Sequence, residues 1–146
     1  DQTGGHGGGV HRVSVREEPA IPGVEVSVPL FRSVSPILSV ANVDAAISFY
    51  ESVLGFRLGW KWGDPATVGS VCRNDVELML ERSPTADALA PARIYVVVSG
   101  LERYYAEVVA AGAKVTCPLA ARDYGMKDFR IVDPDGNQIS FGEALG

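Results

Sequence analysis

The stretch Ser35–Phe56, SPILSVANVDAAISFYESVLGF, decides the fold. It opens with a short apolar strand, Ser35 to Val40, and turns into a helix within two residues. Asn42 carries the side-chain oxygen that an N-cap needs, and Asp44 puts a negative charge in the first turn. Val43, Ile47, Tyr50 and Leu54 recur at helical spacing, and Gly55 stands where a left-handed residue ends a helix. Three strand candidates follow: Phe56 to Trp62, Thr67 to Arg73 and Val76 to Arg82, with Asn74-Asp75 as the tight turn between the last two.

The same order returns downstream. Arg93 to Val98 is rich in β-branched residues, and Ser99-Gly100-Leu101-Glu102 has the form of a capping box. Leu101, Tyr105, Val108 and Val109 make the apolar face of a second helix, which Gly112 ends. Strands are expected at Lys114 to Cys117, Asp128 to Val132 and Gln138 to Gly142, with Asp133-Pro134-Asp135-Gly136 as a type I turn between the last two. Ile37 to Tyr95 is a shift of 58 residues and Gly55 to Gly112 one of 57. The chain therefore reads as α+β: two βαβββ modules, 34–82 and 92–143, forming a cupped, barrel-like mixed sheet with helices outside. A module this small cannot close its own sheet without exposing a face, so two such sheets curling together would enclose a cavity.

Composition narrows the function. The chain has 146 residues, 47% of them hydrophobic and 21% charged, with a formal net charge of −5. That is enough chain to bury roughly two thirds of the unfolded surface without disulfide staples. Cys72 and Cys117 read as reduced thiols in strand-like surroundings. Acidity without a Lys/Arg cluster argues against nucleic acid as a partner. The longest uncharged stretch, Ser33 to Val43, is too short for a membrane span, which takes about 20 residues. The start has neither the basic nor the apolar region of a signal peptide, so a cytoplasmic location is expected. Residues 1–33 stand apart, with a glycine-rich opening followed by alternating patches at Val10 to Val15 and Val24 to Val28. They read either as a mobile leader or as a strand that pairs with a neighbouring subunit.

Asn42…Phe49-Tyr50…Leu54-Gly55-Phe56 and the run Phe129-Arg130-Ile131-Val132-Asp133-Pro134-Asp135-Gly136-Asn137 resemble the two signatures of the vicinal oxygen chelate superfamily, from about Val34 to Glu143. Its members include glyoxalase I, extradiol dioxygenases, fosfomycin-resistance transferases and bleomycin-resistance proteins. The resemblance implies four inward-facing positions, two per module, that hold a divalent metal in the enzymes. Aligned by strand, they fall on Ser35, Glu77, Arg93 and Ser140. Only Glu77 is a suitable ligand, and the two histidines, His6 and His11, both lie in the leader.

The chain thus resembles most the metal-free bleomycin-resistance branch, which implies a homodimer that sequesters an aromatic small molecule, neutral or cationic, without cofactor or metal. Trp60, Tyr95 and Tyr124-Gly125 match aromatic positions of that branch, while its second fifth-strand aromatic is Val97 here. The alternative is a metal-dependent lyase, isomerase or dioxygenase whose site is rearranged around Glu77 and Glu143.

The expected ligand-binding residues are Trp60, Trp62, Glu77, Met79, Arg93, Tyr95, Tyr124 and Ser140. Trp60 and Trp62 share one strand face, to stack a ligand or to pack under the first helix. Glu77 and Met79 share the face opposite Leu78 and Leu80. There Glu77 either anchors a ligand or pairs with Arg93 to brace the modules. Tyr95 follows on the Arg93 face. Asp123-Tyr124-Gly125-Met126 is either a loop over the cavity or an ordinary connection between strands.

Overall fold

The computed structural model describes residues 28–146. Both leader histidines and nearly all of the alternating leader patches lie outside the described residues. Residues 28–34 carry neither helix nor strand. From there the order is β1 (Ile37–Val40), α1 (Val43–Ser52), β2 (Arg57–Trp62), β3 (Val68–Arg73) and β4 (Val76–Arg82), then β5 (Arg93–Val97), α2 (Leu101–Ala110), β6 (Lys114–Ala121), β7 (Met126–Val132) and β8 (Gln138–Ala144). The expected βαβββ repeat is present. Its strands form two four-stranded mixed sheets with the same layout, β1-β4-β3-β2 and β5-β8-β7-β6. In each, the first strand runs parallel to the last and the rest are antiparallel.

Each helix covers one face of its own sheet. Leu38, Val40, Val71, Leu78 and Leu80 are buried beneath α1, as the alternation of β4 requires. Ile131, Ile139, Phe129 and Phe141 are buried on the α2 side. Asn42 caps α1 through a bond from the Ala45 amide at 2.9 Å. The second helix departs from expectation. Gly100 takes a left-handed conformation and no side chain of the anticipated capping box reaches the backbone. Glu143, from the end of β8, accepts the Gly100 and Leu101 amides instead, at 3.2 and 3.1 Å. These amide bonds hold the Glu143 carboxyl below the usual carboxylate range. The buried face of α2 also shifts: Tyr104 joins Leu101 and Val108 inside, whereas Val109 is exposed.

The signature residues tie the modules together. Asp133, buried in the β7–β8 turn, takes the Asp135 and Asn137 amides on Oδ1. Its Oδ2 accepts from Tyr50 Oη of α1 at 2.7 Å and from Asn137 Nδ2 at 3.0 Å. The same Asn137 amide donates to Ser39 O of β1 at 3.0 Å, and Ala41 N donates to Asp135 Oδ1 at 2.9 Å. From the other module, Tyr104 Oη reaches Leu54 O at 2.7 Å. Burial, then the Asp133 carboxylate, raises the Tyr50 hydroxyl far above its ordinary value, so it remains a donor. A polar cluster this buried is tolerated because its groups are matched.

Candidate functional site

The faces turned away from the helices are open. On the first sheet, cross-strand register puts Trp60, Ser70, Met79 and Ile37 in one row. Trp62 lies at the exposed end of β2, so both tryptophans are on the face opposite α1 and neither packs under it. Glu77 sits one row away, where Trp60 Nε1 donates to its Oε2 at 3.2 Å and Ser35 Oγ to its Oε1 at 3.5 Å. The expected Glu77–Arg93 brace is therefore not formed within the chain, because Glu77 finds its partners on its own sheet. Ser70 is fully buried in the same row, and its hydroxyl has no partner among the described residues.

Strand pairing also corrects the alignment of the four inward positions. Ile37 lies beside Met79, and its repeat equivalent Tyr95 lies beside Ser140. Met79 is thus the first-module match of Ser140, while Glu77 matches Gln138, the neighbour of Arg93. Serine, methionine, arginine and serine do not make the imidazole and carboxylate set that Zn, Ni, Fe or Mn requires. Among the described residues no group of three His, Cys, Asp or Glu is placed to hold a metal ion. Glu143, the other carboxylate of the enzymatic alternative, is committed to the α2 N-terminus and to Lys127.

The second sheet builds a cavity of about 640 Å³ on its open face, lined by Arg93, Tyr95, Cys117, Arg122, Tyr124, Asp128, Arg130 and Ser140, with Ile94 and Phe129 at its floor. The register explains the gathering: Tyr95, Ser140, Arg130 and Cys117 lie in one row across β5, β8, β7 and β6, with Gly142 and Asp128 in the next. Asp128 is the hub. Its Oδ2 accepts from Tyr95 Oη at 2.9 Å and from Tyr124 Oη at 2.5 Å, and its Oδ1 from Arg122 Nε at 2.8 Å. Arg122 Nη2 continues to Cys117 Sγ at 3.2 Å and Pro118 O at 2.7 Å. Arg130 Nε donates to Ser140 Oγ at 3.2 Å.

Burial works against the Asp128 charge and is its largest single influence, yet the bonds from Tyr124, Arg122 and Tyr95 outweigh it and keep the carboxyl below its ordinary value. Burial and then the bond to Asp128 push the Tyr95 phenol up to about 12, so it stays a donor at neutral pH. Gly142 makes this contact possible. A Cβ there would lie 2.0 Å from Tyr95 Oη, so the ring crosses β8 only because the position is glycine.

Of the expected site residues, the cavity brings together Arg93, Tyr95, Tyr124 and Ser140. Trp60, Trp62, Glu77 and Met79 form the separate open face of the first sheet. Asp123 to Met126 is the β6–β7 turn, closed by Arg122 N to Met126 O at 2.7 Å, and it also presents Tyr124 to the cavity. Reading the sequence misses Asp128, Arg122, Arg130 and Gly142. The available signal was an aspartate within a strand, four residues after a tyrosine and six after an arginine across a tight turn.

The fold and site together define a two-module βαβββ protein with a polar, aromatic cradle on its second sheet. Residues 32–141 match the family described as Glyoxalase/Bleomycin resistance protein/Dioxygenase superfamily, and the chain belongs to it. No curated protein matches the chain. Among solved structures it is similar to TioX from Micromonospora sp. ML1, at 20% identity and a TM-score of 0.71, covering 79% of this chain and 100% of that one. It is also similar to the bleomycin-binding protein from bleomycin-producing Streptomyces verticillus complexed with copper(II)-bleomycin, at 24% identity and a TM-score of 0.65, covering 82% and 99%. A glyoxalase-related enzyme from Clostridium phytofermentans aligns at 14% identity and a TM-score of 0.67, covering 80% and 98%. At these identities the likeness establishes the fold alone. Among the described residues no helix is long and apolar enough to cross a membrane.

Proposed function

We propose that this protein binds a small, partly aromatic, antibiotic-like molecule in the cavity of the second sheet and holds it without metal chemistry or turnover. The observation that carries this reading is the Asp128 hub. It positions two tyrosines and an arginine around an open space large enough for a drug-sized ligand. Arg93 supports it further, since a cation stands where the family's enzymes place a metal ligand. Two structural relatives are bleomycin-binding proteins by name, which agrees with a binding role.

The open faces carry exposed Ile37, Trp60 and Trp62 on one sheet and Tyr95, Val97 and Tyr124 on the other. Such rows are costly to leave in water. We read them as the two halves of an isologous dimer in which the first-module face of one protomer closes over the second-module cavity of its partner.

The test is tryptophan fluorescence of the chain titrated with metal-free bleomycin and with planar aromatic heterocycles, with and without a chelator. The expected result is saturable quenching by at least one compound at one ligand per cavity, unaffected by chelator and weakened by Trp60→Ala. Binding only in the presence of a divalent metal, or a converted product, contradicts the reading and favours the enzymatic alternative.

A further inference from the structure

We propose that the cavity contains an oxyanion subsite, in which Arg93 and Arg130 hold the carboxylate of a planar aromatic ligand whose ring lies against Tyr95 and Tyr124. The proposal rests on the cavity being the ligand site and adds the charge of what it takes. Its walls carry three guanidinium groups against a single carboxylate. That carboxylate, Asp128, already accepts three hydrogen bonds and is ion-paired with Arg122, leaving it little to offer a cationic guest. Arg122 is likewise engaged, by Asp128, Cys117 and Pro118.

The other two arginines differ. Neither forms an ion pair with any described residue. Arg130 commits only Nε, to the Ser140 hydroxyl, which leaves its terminal N–H groups directed to no described partner. Like charges gathered on one concave wall repel each other and focus a positive potential into the cavity, and an anion between them relieves both effects. The planar guanidinium fork fits a carboxylate with two parallel bonds. Ser140 accepts from Arg130 through oxygen and keeps its own proton to donate to the same anion. The exposed rings of Tyr95 and Tyr124 flank this group and supply apolar faces for an aromatic body. The cationic ligand that the family resemblance implies would instead meet two uncompensated arginines here.

The experiment is calorimetric titration of the full chain with 2-naphthoate, 2-naphthamide and 2-naphthylmethylammonium, three probes of similar shape and different charge. The carboxylate is expected to bind at least about tenfold more tightly than the amide, and the ammonium most weakly. Raising the salt concentration shrinks that advantage. Arg130→Gln is expected to abolish the preference for the carboxylate over the amide. Arg93→Gln, at an exposed position where folding is not at risk, reduces the preference in part. Equal affinity for amide and carboxylate, or a preference for the ammonium, overturns the oxyanion subsite and leaves the cavity reading standing. Binding by none of the three overturns both.

Discussion

The two modules share a backbone plan and differ on their open faces. Beneath the helices both are apolar, with Leu38, Leu78 and Leu80 under α1 and Ile131, Ile139 and Phe141 under α2. On the opposite side the first sheet shows tryptophans and one carboxylate, Glu77, engaged by Trp60 and Ser35. The second shows a hydrogen-bonded hub, three arginines and a cavity. One position illustrates the divergence. Gly142, beside Val97, lets the Tyr95 ring cross to Asp128, whereas the matching place on the first sheet is Glu81, beside Ser39. The repeat supplies a frame with two open faces, and a few non-local side chains decide which face becomes a site.

The frame itself is the most sensitive point. Asp133→Ala removes the acceptor for two backbone amides, Tyr50 and Asn137, all in a buried setting. A loss of about 3–5 kcal/mol is expected in urea denaturation. A loss below about 1 kcal/mol would mean that the modules do not depend on this junction.

Gly142→Ala is expected to expel the Tyr95 ring, cost about 1–3 kcal/mol and remove ligand binding, while leaving the first-sheet face unaltered. Unchanged binding would detach Tyr95 from the site.

Next comes Tyr95→Phe, which deletes one of three donors to Asp128 and should cost about 1 kcal/mol at neutral pH. Because the folded Asp128 carboxyl lies below its ordinary value, its stabilising contribution is full above the unfolded value and fades as pH falls through the folded one. The variant weakens that depression, so it should lose this contribution at a higher pH than the parent in a denaturation series. Identical acid profiles would show that Asp128 is not held by the hub.

The smallest effect on stability belongs to the first sheet. Trp62 is 69% exposed, and Trp62→Glu should change monomer stability by under about 0.5 kcal/mol. It should nevertheless break the dimer proposed above, which light scattering would read as a monomer where the parent chain is twice that mass. A dimer unaffected by this change would place the interface elsewhere.

The fold was legible because periodicity is local: Val43, Ile47, Tyr50 and Leu54 declare a helix, and Asn42 and Gly55 mark its ends, without reference to any distant residue. Half of the cavity was legible too, since Arg93, Tyr95 and Ser140 follow from the repeat and the alternation of β5 and β8. What stayed hidden depends on contacts between strands. Asp128 gains its role from Tyr95, 33 residues away, across a glycine whose significance appears only once β8 lies between them. The Glu77–Arg93 brace failed for a related reason. Strand register makes Glu77 the match of Gln138 rather than of Arg93, and Trp60 and Ser35 engage it on its own sheet. Glu143 was likewise invisible as the cap of α2, lying 42 residues beyond Leu101.

The most direct test of the central claim, metal-free binding at the second-sheet cavity, is an amide NMR titration of the labelled chain with a small aromatic ligand in the presence of chelator. Shifts are expected to concentrate at Tyr95, Tyr124, Asp128, Arg130 and Gly142. Shifts confined to Trp60, Trp62 and Glu77, or appearing only after a divalent metal is added, would contradict it.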